Sequence, residues 1–142
     1  MTDVLLQHTA DGGEITVEGG RVRLDDGVQT AVYLSMFGGN ERDAGTGATE
    51  SEQWWGNLLQ EQPARRLRSE TQHLLRALPA ITANVRRVED AVRRDLSWLE
   101  EIGATVSATA TLPAVRRIRI AVVVELDGER TELRFDEEWA PA

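Results

Sequence analysis

Hydrophobic and polar residues alternate along the C-terminal third of the chain, and this alternation predicts a long β-hairpin. Residues 115–126 and 129–136 flank Asp127-Gly128, a dipeptide typical of a two-residue type I′ turn. Residues 105–112 alternate in the same way and predict a third strand. The predicted apolar face pairs Val124 with Thr131, Val122 with Leu133 and Ile120 with Phe135, and the other face pairs Glu125 with Arg130, Ala121 with Arg134 and Arg119 with Asp136.

A second, shorter alternation near the N-terminus predicts a strand at residues 3–8 and a hairpin over residues 14–24. Gly19-Gly20 suits the hairpin turn because both residues tolerate a positive φ. One face of the hairpin is apolar and the other carries matched charges, so we expect it to be half-buried. The predicted pairs are Val17–Val22, Ile15–Leu24, Glu18–Arg21 and Thr16–Arg23.

Three helices are predicted between these β-regions. The first begins at Asp26, with Gln29 as a capping-box partner, and ends at Gly38-Gly39. Its apolar residues fall on nearly every side, which predicts a buried helix on which the rest of the chain packs. The others span residues 65–78, ended by Pro79, and residues 83–102, capped by Thr82 and ended by Gly103.

The third helix carries one apolar stripe and one charged face. Glu89–Arg93 and Asp90–Arg94 are acid-first pairs four residues apart, so the arginines of this helix are predicted to form a solvated, self-paired face rather than a basic patch. The stripe consists of Val85, Val88, Val92, Leu96, Leu99 and Ile102, and the arginines are Arg86, Arg87, Arg93 and Arg94.

Strands grouped at both ends of the chain around about three central helices predict the α+β class, with an antiparallel sheet from the N- and C-terminal strands packed on the helices. A length of 142 residues predicts a single domain over residues 1–142. Residues 38–53 are rich in Gly, Thr, Ser and acids, and are predicted to form a mobile surface loop.

Composition excludes several classes of function. The net charge is −8, and all sixteen basic residues are Arg. The acidic balance argues against general nucleic-acid binding, and the lack of Lys excludes a Walker-type phosphate loop and Schiff-base catalysis. Cysteine is absent, which excludes disulfides and thiolate metal sites and fits assembly in cytoplasm. No apolar run is long enough for a membrane span, and no signal peptide is predicted.

The sequence predicts no catalytic, cofactor-binding or metal-binding residue. His8 and His73 are isolated, and neither belongs to a His-x-x-x-His pair. Twenty-four carboxylates make chance acid pairs common, and no acid stands alone in an apolar stretch that would raise its pKa. We therefore expect a protein that is not an enzyme and needs no cofactor.

The order and spacing of several segments resemble those of the Mu-type phage tail baseplate protein, a family within the sheath-initiator and baseplate wedge group of contractile tails. In similar proteins a Gly-Ser-Arg segment often precedes the second helix, where this chain has residues 69–72. The wider sheath-initiator group carries a Glu-Pro-Arg type motif, and its nearest match here is Glu61, Pro63 and Arg65, which are not contiguous. The segments that carry the resemblance are residues 19–27, 30–37, Trp54-Trp55-Gly56, 88–91, 96–99, 103–104 and 135–139.

The resemblance implies a structural component that links the baseplate wedge to the first sheath ring. Its expected partners are baseplate wedge and tail sheath proteins, with hub or tube proteins as further candidates, in a symmetric hetero-oligomer with several copies of this chain. No nucleic-acid or membrane partner is expected. The expected location is the baseplate of the virion tail, after assembly in the host cytoplasm.

The sheath reaches its next layer by strand exchange, so the resemblance implies an open sheet edge that an incoming strand can extend. The strand at residues 4–6 and the C-terminal hairpin are the two candidate edges. Of the two adjacent tryptophans, one is expected in the core and one against a partner, or both cover a sheet edge. Trp139 is expected to fold back as a terminal plug. The predicted interaction residues are Val4, Leu5, Leu6, Trp54, Trp55, Arg65, Arg66 and Trp139.

Two alternatives from other classes remain. One is a muramidase-like cell-wall hydrolase of the tail with a carboxylate pair, although no motif in the sequence supports it. The other is a small soluble oligomer unrelated to phage tails.

Overall fold

Strands at both ends of the chain surround central helices, which confirms the predicted α+β class. The computed structural model describes residues 3–9, 12–44, 51–52 and 54–141. The helices are α1 (Val28–Phe37), α2 (Glu70–Ala77), α3 (Thr82–Asp95) and α4 (Ser97–Glu101), with short 3-10 turns at Trp55–Leu59 and Pro63–Arg65. The strands are β1 (Asp3–Val4), β2 (Leu6–Thr9), β3 (Gly12–Ile15), β4 (Val17–Glu18), β5 (Arg21–Val22), β6 (Leu24–Asp25), β7 (Asn40–Ala44), β8 (Ser51–Glu52), β9 (Thr105–Ala114), β10 (Arg117–Leu126) and β11 (Glu129–Glu138).

The C-terminal strands form one antiparallel sheet in the order β11-β10-β9. All six predicted pairs between β10 and β11 are confirmed, and Asp127 and Gly128 both have positive φ in the turn. The predicted strand over residues 115–126 begins two residues late, because β9 runs on to Ala114 and the chain turns at Val115-Arg116. One face of this sheet is buried, with Ile118, Ile120, Val122 and Val124 at its centre.

Helix α1 is buried, as predicted, and contacts β2, α2, α3 and β11. Its N-cap is Gly27, in the left-handed region, rather than Asp26. Asp26 still accepts the Val28 N–H at 3.0 Å. The predicted capping box does not form, because the Gln29 amide lies 3.5 Å from the Leu6 carbonyl oxygen instead. Gly38 ends the helix, with its N–H donated to the Leu34 carbonyl.

Helix α2 begins five residues later than predicted because its N-terminus is fixed by distant side chains. The Asn57 amide accepts the Leu67 N–H and donates to the Leu67 carbonyl, both at 2.8 Å, which holds that residue outside a helix. The Asp95 carboxylate then accepts the N–H groups of Glu70 and Thr71. A cap supplied from 24 and 25 residues away is not visible in local sequence.

The predicted helix over residues 83–102 is two helices, α3 and α4, separated at Leu96. The Ser97 hydroxyl donates to the Arg94 carbonyl at 2.8 Å, a local bond of the kind that competes with helical pairing. Thr82 is the first helical residue rather than the cap. The apolar stripe is buried at Val88, Val92, Leu96 and Leu99, whereas Ile102 is exposed.

The N-terminal strands form three short two-stranded ladders, which we call the N-terminal β-unit (residues 3–9 and 12–25). The pairs Val17–Val22 and Glu18–Arg21 are confirmed. The predicted Ile15–Leu24 pair is wrong, because Ile15 pairs with Leu6 and Leu24 pairs with Val4. The N-terminal and C-terminal strands thus contribute separate antiparallel sheets.

The segment predicted as a loop over residues 38–53 contains the paired strands β7 and β8. Asn40 and Asp43 are buried, and the Asp43 carboxylate contacts the His73 ring at 2.8 Å, which ties β7 to α2. Residues 45–50 and 53 lie outside the described residues.

Candidate interaction surfaces

The edge at residues 4–6 is closed by the chain's own groups. The Thr30 hydroxyl donates to the Val4 carbonyl at 2.6 Å and accepts the Leu6 N–H at 2.9 Å. The Leu5 N–H donates to the Arg23 carbonyl at 2.9 Å. Because these backbone groups are already bonded, this segment is a poor template for an incoming strand.

The outer edge of β9 is also closed, here by side chains of α3. Glu89 accepts the Ala110 N–H at 2.9 Å, and Arg93 donates to the Ala108 carbonyl at 2.9 Å. Glu89 and Arg93 form an ion pair at 2.9 Å, so they satisfy the edge as one unit.

The outer edge of β11 has no neighbouring strand among the described residues. The two-residue turn makes Leu126–Glu129 a hydrogen-bonded pair, so every second residue of β11 points its N–H and C=O away from β10. The same alternation predicts that the backbone groups of Ala108 and Ala110 point away from β10. The bonds of the Ala108 carbonyl and the Ala110 N–H to side chains of α3 agree with this. The outward residues of β11 are Arg130, Glu132, Arg134 and Asp136.

Charged side chains lie along this open edge. Arg130 contacts Glu125 at 3.1 Å and Glu132 at 2.9 Å, and Asp136 contacts Arg119 at 2.8 Å and Arg134 at 3.2 Å. The hydrogen bond from Arg119 lowers the pKa of Asp136. Charged edge residues protect a long exposed strand from indiscriminate pairing while leaving its backbone groups accessible.

A groove of about 760 Å³ brings together residues from four parts of the chain. Three of the predicted interaction residues line it, namely Trp54, Arg65 and Arg66. Two further lining residues, Trp98 and Arg94, were not predicted as interaction residues. Their spacing in the sequence could have identified them, because Trp98 follows Arg94 by one helical turn and lies outside the apolar stripe, so both fall on one exposed side of the predicted helix. The side chain of Trp55 lies outside the described part of the structure.

The two groove tryptophans are held by specific contacts. The Trp98 indole N–H donates to the Ser35 hydroxyl at 2.9 Å, and that hydroxyl donates to the Ala31 carbonyl at 2.7 Å. The Trp54 ring lies over Gly56, where an added Cβ would come within 2.3 Å of ring atoms. This packing explains why a glycine follows the tryptophan pair.

Asp95 lies in the wall of the groove and supports α2. Its carboxylate accepts three hydrogen bonds, from the Glu70 N–H and from both the N–H and hydroxyl of Thr71. Burial nevertheless raises the pKa of Asp95 to about 7, and the nearby charge of Glu70 contributes in the same direction. These bonds give Asp95 a structural role.

Two predicted interaction residues lie in the interior. Trp139 is fully buried, and its indole N–H donates to the Leu78 carbonyl at 2.8 Å, so it forms the predicted plug and is not accessible to a partner. Leu5 is buried as well, whereas Val4 is exposed and Leu6 is half-buried.

No group of three or more His, Cys, Asp and Glu side chains among the described residues is placed to hold a metal ion. Asp43 and His73 form an isolated pair between β7 and α2. None of the described helices is both long and apolar enough to cross a membrane. Comparison with family models, curated proteins and solved structures finds no match for this chain.

Proposed function

We propose that this protein is a non-enzymatic structural component of a contractile tail or a related injection machine, and that it joins the baseplate wedge to the first sheath ring. The observation that carries the proposal is the open edge of β11, a ten-residue strand in a sheet whose other edge is blocked. An incoming strand gains backbone hydrogen bonds at such an edge without any rearrangement of the sheet.

Among the candidate edges at residues 4–6, at β9 and at β11, the bonds of the first two favour the third. Thr30 bonds the Val4 carbonyl and the Leu6 N–H, and Glu89 with Arg93 bonds the Ala110 N–H and the Ala108 carbonyl of β9. The C-terminal hairpin, one of the two edges considered from the sequence, is therefore where we place strand addition. The side-chain charges along β11 then select a partner strand with complementary charges.

The test replaces an outward residue of β11 with proline. Glu132→Pro removes an N–H that β10 does not use, so the chain should fold while an incoming strand loses a hydrogen bond and meets the proline ring. Glu132→Thr retains the N–H and serves as the matched control. Each variant is co-expressed with candidate tail sheath and baseplate wedge proteins, and capture by a tagged sheath protein is measured.

The proposal predicts that Glu132→Pro lowers capture by at least about tenfold, whereas Glu132→Thr changes it little. Arg134→Pro tests the next outward position, so the result does not depend on the folding of one variant. Capture of a folded proline variant at the wild-type level would refute strand addition at β11.

A further inference from the structure

The groove that contains Trp98 combines a fixed aromatic surface with cationic side chains. Trp98 is 36% exposed, and its hydrogen bond to Ser35 fixes the orientation of the ring. Trp54, Leu34 and Leu67 add apolar surface to the same groove. Tryptophan and arginine are enriched where protein interfaces hold most of their binding energy.

The arginines of the groove differ in whether they are already paired. Arg68 forms an ion pair with Glu41 at 2.8 Å. Arg66 donates its Nε–H to the Gln60 carbonyl at 3.3 Å. This bond orients the guanidinium and does not use its two terminal nitrogens. Within the described residues, neither Arg65 nor Arg94 has an ion-pair partner, although Asp90 had been the predicted partner of Arg94 and instead contacts Arg93.

The carboxylates of the groove are largely engaged elsewhere. Glu70 pairs with Arg42, and Asp95 is bonded to the first residues of α2. Asp3 accepts the N–H of the next residue, and Glu101 is the remaining acid. Among the described lining residues, three guanidinium groups (Arg65, Arg66 and Arg94) and two carboxylates (Asp3 and Glu101) thus have no ion-pair partner, in a protein whose net charge is −8.

We propose that this groove binds a segment of a partner protein in which carboxylates flank an apolar side chain. The apolar side chain packs on the Trp98 indole, and the carboxylates accept hydrogen bonds from Arg65, Arg66 and Arg94. A volume of about 760 Å³ lies within the usual range for ligand sites, and it suits a short extended peptide. The assignment of the partner to a tail assembly rests on the proposed function. The chemistry of the groove is independent of that function.

The overall charge of the protein makes the test selective. A net charge of −8 repels acidic peptides and attracts basic ones, so preference for an acidic peptide requires a local site. The probe is the fluorescein-labelled peptide Asp-Glu-Leu-Leu-Glu-Asp, and binding is followed by fluorescence anisotropy. Lys-Lys-Leu-Leu-Lys-Lys reverses its charge, and Asp-Glu-Ser-Ser-Glu-Asp removes its apolar centre.

We expect the acidic leucine peptide to bind more tightly than either comparison peptide. Arg94→Glu and Trp98→Ala should each raise its Kd by about tenfold or more. Arg87→Glu is the matched control, because it makes the same charge change at an exposed position of α3 that does not line the groove. Circular dichroism confirms that each variant is folded.

Three results would overturn the proposal: no binding of the acidic leucine peptide, tighter binding of the basic peptide, or an equal loss in Arg87→Glu and Arg94→Glu. The experiment also separates this groove from the open edge of β11. If the acidic peptide binds as expected while Glu132→Pro retains sheath capture, strand addition fails and the groove stands. If the proline variant loses capture while the acidic peptide does not bind, the groove proposal fails and strand addition stands.

Discussion

The C-terminal sheet and the N-terminal β-unit carry the same alternating pattern, yet they use it in opposite ways. The sheet buries its aliphatic face beneath the helices, with Ile120 fully enclosed. The N-terminal β-unit turns its aliphatic face outward, where Ile15 is 56% and Val17 is 60% exposed. Cross-strand pairs and alternation place Val4, Leu6, Ile15, Val17, Val22 and Leu24 on this outer face.

The difference lies in what covers each face. Strands β9, β10 and β11 are ten residues long, and α3 packs against the sheet. The N-terminal strands are two to four residues long. Their contact with α1 includes the Thr30 hydroxyl, which bonds the backbone of Val4 and Leu6. Alternation therefore identifies residues that share a face, but whether that face is buried depends on elements elsewhere in the chain.

The largest expected effect comes from one substitution made in both regions. Ile120→Ala should lower the free energy of unfolding by about 2–5 kcal/mol, because it leaves a cavity in the core. Ile15→Ala should change it by less than about 0.5 kcal/mol, because that side chain is already in solvent. Urea unfolding measures both values. Similar losses in the two variants would show that the N-terminal face is covered after all.

The next largest expected effect is the pH dependence of the free energy of unfolding, which we attribute to Asp95, whose carboxylate caps the start of α2. The folded pKa of Asp95, about 7, lies above the ordinary value, so the folded state holds a proton that the unfolded state releases. Stability from this group is complete at low pH and declines as pH rises from about 4 to about 7, by on the order of 2–4 kcal/mol.

Asp95→Asn removes this titration and isolates it from the other carboxylates. The free energies of unfolding of both proteins should be measured between pH 4 and pH 8. We expect the variant to gain stability relative to the wild type as pH rises. A constant difference across that range would show that Asp95 does not titrate there.

A smaller effect is expected from the terminal plug. Trp139→Phe removes the hydrogen bond to the Leu78 carbonyl and leaves a small cavity, so it should cost about 1–3 kcal/mol. Trp98→Phe removes a similar bond, to Ser35, at a partly exposed position and should cost less. Thermal unfolding ranks the two variants, and the opposite ranking would contradict the burial assigned to them.

The smallest effect on stability is expected on the outer face of the N-terminal β-unit. Val17→Ser with Leu24→Ser should leave the free energy of unfolding within about 1 kcal/mol of the wild type, because both side chains are exposed. The same change should reduce binding of the hydrophobic dye ANS. Unchanged dye binding together with a large loss of stability would contradict an outward apolar face.

The sequence predicts the C-terminal hairpin correctly because turn chemistry, apolar pairs and charge pairs are all local and agree. Prediction from sequence fails where a residue distant in the chain determines the local structure. Leu24 pairs with Val4 rather than with Ile15, because residues 3–4 form a ladder with residues 24–25. Helix α2 starts at Glu70 because Asp95 caps it.

The same limit applies to the candidate surfaces. Trp54, Arg65 and Arg66 were predicted to be interaction residues, and they line one groove. Arg94 was predicted to pair with Asp90, and only the structure shows that Arg93 contacts that carboxylate instead. Which sheet edge is open could not be read from alternation, since Glu89 and Arg93 close β9 from another element.

Residue-resolved amide hydrogen exchange, with and without bound sheath and wedge proteins, tests strand addition most directly. If a partner strand joins β11, the outward amides of Arg130, Glu132, Arg134 and Asp136 should exchange quickly in the free protein and slowly in the complex. The amides of Ala121 and Val123, already between β10 and β9, should be slow in both. Fast exchange at all four outward positions in a complex that has formed would contradict the account.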